Sequence, residues 1–468
     1  MERRWTILAV CCLSLFLVGL DTTIVNVGLP AIGAGLGLGT RGLEWTVDAY
    51  TLAFAGLLVS SGALADRFGR RRVFRLGLVV FGAASAVCAL APDAAVLVAA
   101  RVAQGVGASM LSPVALAIVV NVMTDARERA RAIGVWAAVF GVSMAAGPLV
   151  GGALVAAAGW RSLFWINVPV VAAALVLTAV FVPESRAERP RRLDAPGQAL
   201  LALVASGAVA VLIEGPRVGW ASPAALTGYG VVAVAAVALG RVETRRDEPL
   251  IDPRLFRRPS FAAAVAGAVA VFAALGATLL LNTLYLQHAR GLSPLATGLV
   301  TLPMALAATV CAPLSGVLTG RHGPRPPLLL AGGLLTAGAL PLTLLGDRTD
   351  VRLIALAYLL IGAGFGFANA PITDTAVGGL PRARAGVAGG ITSMARQLGS
   401  AVGVAIAGGL VAGAAPARLA EATRPGWALV AGCGLLVLVV AVVSSLDGRK
   451  RDPVDGSARQ PSRRAQAV

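Results

Sequence analysis

Long apolar runs separated by short charged segments dominate this chain. An uncharged run from 49 to 64 ends in the basic segment GALADRFGRRRVFR (62–75), and a second uncharged run occupies 76–92. A membrane-crossing helix needs roughly 20 mostly apolar residues, so this pattern predicts two membrane helices joined by a basic loop. The same criterion predicts fourteen spans over the whole chain, at about 6–29, 45–65, 73–92, 94–121, 132–157, 163–182, 197–214, 223–240, 261–287, 295–319, 327–346, 351–378, 386–412 and 426–446.

Composition supports a polytopic membrane protein. Hydrophobic residues make up 57% and charged residues 13% of the 468 positions, whereas soluble domains are about half apolar and a quarter charged. The net charge of +17 would suit a nucleic-acid-binding protein, but the basic residues lie in short loops, so we expect no nucleic-acid partner. The cysteines all lie in apolar runs and predict neither disulfides nor a metal site: Cys11, Cys12, Cys88, Cys311 and Cys433.

The basic residues also predict the orientation of the chain. Short loops rich in arginine stay in the cytoplasm. With fourteen spans, thirty of the forty basic residues fall in segments on the side of the 62–75 loop, and eight fall on the opposite side. We therefore predict a multi-pass protein of the plasma (inner) membrane with both termini in the cytoplasm. The first apolar run is too long for a signal peptide and predicts a retained first helix.

An internal repeat indicates how the spans are grouped. The segment GALADRFGRR (62–71) recurs as GVLTGRHGPR (316–325), each time after the second span of a set of six. Repeated six-helix halves are typical of transporters whose substrate site lies between the halves. The predicted parts are an N-terminal six-helix half (1–182), an inserted helical pair with charged linkers (183–260), a C-terminal six-helix half (261–446) and a disordered cytoplasmic tail (447–468).

Five motifs carry a family resemblance. They are LDTTIVNVGLP (20–30), GALADRFGRRR (62–72), RVAQGVG (101–107), GVSMAAGPLVGG (141–152) and GWRSLFWINVP (159–169). With these motifs the chain resembles, over about residues 5–446, the major facilitator superfamily. Within it, the chain is similar to the fourteen-helix drug:proton antiporters, especially actinobacterial antibiotic-resistance exporters of the methylenomycin-resistance type. One departure is Gly320, which stands in the second loop motif where the first has Asp66.

The resemblance implies an all-α major facilitator fold with fourteen transmembrane helices. It also implies proton-coupled efflux of antibiotics or other amphipathic small molecules by alternating access, and a monomer. The alternatives are proton-coupled uptake or export of one metabolite, or a transport-dead membrane sensor. No P-loop, metal cluster or nucleophile–base pair is visible in the sequence, so we expect no enzyme activity and no cofactor, with the proton gradient as energy source.

Three charged residues are candidates for proton coupling. Asp21 lies about 14 Å and Arg101 about 10 Å from the outer ends of their predicted helices, at similar depth and with opposite charge. A charge in the membrane interior is costly and marks a cavity or a partner. Asp48 is the third candidate. The alternatives are a capping role for Asp21 or Asp48 and a snorkelling role for Arg101.

Two of the motifs predict conformational roles. The first loop motif is a candidate latch at the inner mouth, because a carboxylate there could bind the positive end of a helix in the other half; it could equally only fix topology. Its residues are Gly62, Asp66, Arg67, Gly69, Arg70 and Arg71. The fifth-span motif predicts a helix bend, and the resemblance to exporters implies that this bend seals the path; ordinary glycine packing is the alternative. Its residues are Gly147, Pro148, Gly151 and Gly152.

The remaining polar residues of the spans are candidates for the substrate cavity. Arg396 lies close to the middle of the thirteenth span, and we expect it to pair with Asp374. The whole predicted set is Asn26, Tyr50, Gln104, Asp374 and Arg396.

Overall fold

The computed structural model describes residues 2–187, 194–246, 249–346, 348–378, 382–415 and 418–448. This part of the chain is almost entirely helical. Its α-helices are α1 (Glu2–Leu36), α2 (Thr40–Phe68), α3 (Arg70–Leu90), α4 (Ala94–Val122), α5 (Ala126–Ala158), α6 (Ser162–Trp165), α7 (Asn167–Phe181), α8 (Ala195–Val218), α9 (Pro223–Thr244), α10 (Pro259–Thr283), α11 (Pro294–His322), α12 (Arg325–Leu342), α13 (Val351–Val377), α14 (Arg382–Val411) and α15 (Leu419–Gly448).

The all-α polytopic architecture is confirmed. Within the described residues, twelve helical segments are long and apolar enough to cross a membrane. The two other predicted spans coincide with α5, whose described apolar part is Ala146–Ala158, and with α12. The number of fourteen crossings stays a prediction.

Two predicted spans depart from a regular α-helix in the structure. The span at 163–182 consists of the short helix α6 and of α7, with a break at Ile166. Pro169 explains the break, because its ring lacks an N–H and is tolerated only in the first turn of a helix. The span at 261–287 continues from α10 into a turn of π-helix, Leu284–Ala289.

Glycines place the helices of the two halves in the same way. Gly105 of α4 lies against the backbone of Tyr50 on α2, and Gly362 of α13 lies against the backbone of Met304 on α11. A side chain at either glycine would push these helices apart, as expected where small residues allow helices to approach closely. The next glycine contacts the third span of each half, in the pairs Gly107–Phe81 and Gly364–Leu335.

The halves meet along two helix pairs, α2 with α14 and α5 with α11. The inserted helix α8 covers the α2–α14 seam, where Val209 and Ile213 pack with residues of both helices. Gln198 of α8 hydrogen-bonds to Ser60 and to the backbone carbonyl of Gly56, both on α2. Helix α9 packs on α8 and is otherwise largely exposed, as expected for a helix that faces lipid.

The boundaries predicted for the four parts of the chain stay predictions. Residues 188–193 and 247–248 of the charged linkers lie outside the described residues, and so does the predicted tail from 449 onward.

We predict the orientation of two sites with fused reporters. Green fluorescent protein fused after Val468 should fluoresce, because fourteen crossings return the C-terminus to the cytoplasm. Alkaline phosphatase inserted at Ser222, between α8 and α9, should be active outside the cell. A phosphatase fusion ending at Arg75 is the control and should be inactive. An active phosphatase fused at the C-terminus would contradict fourteen crossings with a cytoplasmic N-terminus.

Candidate functional site

Asp21 of α1 and Arg101 of α4 form an ion pair inside the N-terminal half. The Oδ2 atom of Asp21 lies 2.6 Å from Nη1 of Arg101, and the two side chains are 0% and 2% exposed. Removing one charge of such a buried pair typically costs about 3–5 kcal/mol. Arg101 therefore does not snorkel to the surface. The structure brings together the two residues that the sequence placed at similar depth, while their role in proton coupling stays a prediction.

Amide and hydroxyl groups surround this ion pair. Gln104 and Asn167 donate to Oδ1 of Asp21 at 2.9 and 3.1 Å, and Arg101 donates to Oε1 of Gln104 at 2.8 Å. Asn167 also donates to the Ser85 hydroxyl at 3.1 Å. Sequence reasoning assigned no role to Asn167, although it stands in a quoted motif, and no sequence signal marks Ser85.

Arg101 is also held by groups other than Asp21. Its Nε donates to the backbone carbonyl of Thr46 at 3.0 Å. Its guanidinium carbon lies 4.3 Å from the ring centre of Tyr50 and 5.9 Å from that of Phe164. Such cation–π contacts strengthen when they are removed from water. The arginine would thus keep partners if Asp21 lost its charge.

Asp48 takes no part in this network. It is fully buried, and neither carboxylate oxygen has a hydrogen-bond partner in the described part of the chain. It lies eight residues inside α2, so the capping alternative is wrong. Glu44, one turn earlier, is also buried and packs against Gly408 of α14, across the interface between the halves. Sequence reasoning missed Glu44.

A cavity of about 1190 Å³ opens between the halves. Asp66 and Arg70 of the first loop motif lie at its rim, so it opens on the side that the sequence predicts to be cytoplasmic. Its walls carry apolar side chains and scattered hydroxyl and amide groups from both halves. They include Leu15, Leu58, Val59, Ser60, Ser112, Leu116, Val120, Asn121, Trp136, Thr373, Thr392, Ser393 and Arg396.

Most of the residues predicted for the cavity lie elsewhere. Arg396 lines the cavity, but Tyr50 and Gln104 belong to the buried network around Arg101. Asn26 is buried on α1, where its amide donates to the Thr22 carbonyl at 2.9 Å. None of these three side chains is among the residues that line the cavity.

The expected pairing of Arg396 with Asp374 is wrong for the described structure. Arg396 donates to the hydroxyl of Thr373 at 2.5 Å. Asp374 is exposed and is not among the cavity residues. The next residue along a helix points roughly 100° away, so only one of these two neighbours can face Arg396.

The first loop motif is held by its own residues and by Glu184, which follows α7. Asp66 and Arg70 form an ion pair of 2.9 Å. Gly69, with a φ of +111°, makes the turn between α2 and α3 and lies against Glu184. Glu184 accepts from the backbone N–H of Arg71 at 3.1 Å. No described contact joins Asp66 to the other half, and sequence reasoning missed Glu184.

Further latch residues occupy distinct positions. Gly62 lines the cavity beside Asp66. The Arg71 side chain donates to the carbonyl of Ala179 at 2.6 Å, and Arg67 lies 5.5 Å from the ring of Phe68.

The glycines of the fifth-span motif pack α5 against two neighbours. Gly147 and Gly151 lie against Thr23 and Ile24 of α1, where there is no room for a side chain. Gly152 lies against the backbone of Pro294, the first residue of α11 in the other half. Gly298 of α11 lies in turn against the backbone of Pro148. This packing closes the halves on the side away from the cavity mouth.

Comparison with known proteins identifies relatives along most of the chain. The chain is 40% identical over 400 residues to the multidrug resistance protein Stp of Mycobacterium tuberculosis (strain CDC 1551 / Oshkosh), covering 86% of this chain and 74% of the relative. It is 38% identical to the methylenomycin A resistance protein of Streptomyces coelicolor (83% and 82% covered). It is 36% identical to the tetracenomycin C resistance and export protein of Streptomyces glaucescens (90% and 79% covered).

The fold is that of known transporters. A bacterial homologue of the human lysosomal transporter Spinster, crystallised inward-facing and unoccupied, matches with a TM-score of 0.66 and 18% identity, over 96% of this chain and 97% of that chain. The family model of the Major Facilitator Superfamily matches residues 11–404. The resemblance inferred from the motifs is confirmed: the chain belongs to the major facilitator superfamily and is a membrane transporter, not an enzyme.

Proposed function

We propose that this transporter exports antibiotics or other amphipathic small molecules across the plasma membrane in exchange for protons. Several relatives bear names of drug resistance or antibiotic export. The proton gradient is the proposed energy source, and a monomer is the proposed transporting unit.

The cavity supports loading of the substrate from the cytoplasm. It opens at the basic loops, while the packing of α5 on α11 closes the opposite side. Short basic loops are retained in the cytoplasm. Alternating access would then require the α5–α11 contact to part and the cavity mouth to close. Asp66 lies at that mouth and would exchange Arg70 for the end of a helix in the other half.

The buried pair of Asp21 and Arg101 carries the proposal of proton coupling. A proton on Asp21 would remove the attraction to Arg101 and leave an uncompensated buried cation. Such a cation is unfavourable in a low-dielectric interior. The protonated network would therefore favour another arrangement of α1 and α4, and deprotonation would restore the present one. Protonation of Asp21 would thereby shift the equilibrium between two conformations of the transporter.

A chain of contacts connects this network with the closed side of the molecule. Thr23 and Ile24 follow Asp21 on α1 and pack on Gly147 and Gly151 of α5. The next glycine of α5, Gly152, contacts the start of α11 in the other half. Protein interiors are close-packed and transmit strain, so helices in such contact either move together or lose the contact. A shift of α1 would thus loosen the contact between the halves.

The first functional prediction concerns Asp21. Asp21→Asn mimics a permanently protonated carboxyl, so it should bind substrate but fail at uphill efflux and at proton exchange. The measurements are efflux from vesicles under an imposed pH gradient and proton release on substrate addition in weak buffer. Arg101→Ala should also uncouple, and Arg101→Lys should recover only part of the activity, because lysine lacks the planar fork.

Asp374→Asn is the matched control for Asp21→Asn. It removes an exposed carboxylate from another membrane helix outside the network and should leave coupling unchanged. The buried variants are expected to lose roughly 3–5 kcal/mol of stability, so thermal unfolding of each purified protein must accompany the assay. Uphill efflux at the wild-type rate by a folded Asp21→Asn protein would show that Asp21 does not carry the proton.

The second prediction concerns Asp66. Asp66→Asn should slow transport strongly while leaving insertion and substrate affinity unchanged, because the residue is proposed to act in closing the cavity mouth. Arg70→Ala should have the same effect. Arg72→Ala is the control. The Arg72 side chain is 71% exposed, and its ion pair with Glu184 is long, at 3.7 Å. Normal turnover in both test variants would reduce the motif to a topological signal.

The third prediction concerns Gly152. Gly152→Val would place a side chain against the backbone of Pro294 and should prevent full closure of that side. A cysteine introduced next to the contact, at Leu295, should then react faster with a membrane-impermeant maleimide added outside. Gly230→Val is the control, because Gly230 has open space around it. An unchanged labelling rate in Gly152→Val would contradict the proposed seal.

A further inference from the structure

Arg396 is a cation with few partners deep in the cavity wall. It lies fourteen residues from the start of α14, or about 21 Å along the helix. Its Nη2 donates to the Thr373 hydroxyl, and its guanidinium carbon lies 5.9 Å from the ring centre of Phe272. Its Nε is buried and has no hydrogen-bond partner in the described structure.

The acidic residues around the cavity are already engaged. Asp66 is paired with Arg70 at 2.9 Å, and Asp194 is paired with Arg246 at 3.4 Å. No described acid forms an ion pair with Arg396. Besides Arg70, which is paired with Asp66, the lining contains Arg129 near the start of α5 as a further positive charge. The lining therefore carries three arginines against two aspartates and has a net positive formal charge.

From this charge balance we infer that the substrate carries an anionic oxygen, as a carboxylate, phenolate or enolate, which Arg396 binds. The inference rests on the proposed function and specifies its substrate class. A guanidinium presents a planar fork of donors that matches a carboxylate, and the free Nε belongs to that fork. A cationic substrate beside Arg396 would face repulsion, because the acids of the lining, Asp66 and Asp194, are already paired with other arginines.

The rest of the lining fits an amphipathic acid. Leu58, Leu116 and Val120 provide an apolar surface for the body of the molecule, and Trp136 adds an aromatic one. Ser393 lies near Arg396 on α14 and offers a hydroxyl at the polar end. Pockets of this kind bind mostly by apolar contact, while a few polar groups fix orientation. Arg396 would thus determine specificity, and the apolar walls would tolerate different ring systems.

Three compounds that share one framework test the inference: naphthylacetate, naphthylacetamide and naphthylethylamine. Their dissociation constants are measured by equilibrium dialysis on the purified full-length protein in nanodiscs of zwitterionic lipid, without a pH gradient. The wild-type protein should bind the carboxylate roughly ten- to hundredfold more tightly than the amide, which is the worth of a hydrogen bond to a charged group. The amine should bind most weakly.

Variants at Arg396 test whether this residue causes the preference for the carboxylate. Arg396→Gln should remove the preference for the carboxylate and leave amide binding unchanged, and Arg396→Lys should keep part of it. Arg352→Gln, an exposed arginine at the start of α13, should behave as wild type. If the wild type prefers the amine or binds all three equally, the inference is wrong, whether or not a variant folds. A carboxylate preference that survives Arg396→Gln would also overturn it.

Failure of this inference is distinguishable from failure of the proposed export. The dialysis assay needs neither efflux nor protons, so a protein that shows no proton coupling can still show the preference. Conversely, a coupled exporter that selects amines would refute only the assignment of Arg396.

Discussion

The buried charge of Arg101 is the constraint on which the N-terminal half depends. A guanidinium in a membrane interior is tolerated only with partners, and here Asp21, Gln104, the Thr46 carbonyl and the ring of Tyr50 supply them. The packing of α1 and α4 follows from this requirement. In the C-terminal half the corresponding position is Tyr358, whose ring lies 6.1 Å from that of Trp427. The repeat therefore keeps its glycine packing but carries the buried charge pair in one half.

Sequence reasoning recovered the depth of residues but not the direction in which their side chains point. A helix rises regularly, so Asp21 and Arg101 could be placed at one level from their spacing alone. The direction in which a side chain points can be predicted only when the helix has distinct apolar and polar faces. Helices that are apolar all round show no such contrast. For that reason Tyr50 and Gln104 were assigned to the cavity, although they point into their own half.

Other parts of the site depend on contacts between distant segments. Three residues that sequence reasoning missed contact segments far away in the chain: Glu184, Ser85 and Glu44. In the sequence, the first looks like part of a charged linker, the second like a small helix residue and the third like part of a helix start. The family motifs identified the fold and the glycine-rich helix because those features are local. Tertiary partners of single polar side chains are not local, and only the folded structure reveals them.

The two proposed chemical tasks, proton coupling and substrate binding, lie in different halves. The residues of the Asp21 network do not line the cavity, whereas Arg396 does and belongs to the C-terminal half. A proton and a substrate would then not compete for one group, so their exchange must be coupled through conformation, along the contacts from α1 to α5 and α11. Charge balance adds a consequence. An anion leaving while a proton enters moves two charges in the favourable direction, and a potential of about 100 mV supplies about 2.3 kcal/mol for each. Under the two proposals, an anion-binding Arg396 would let the membrane potential, as well as the pH gradient, drive export.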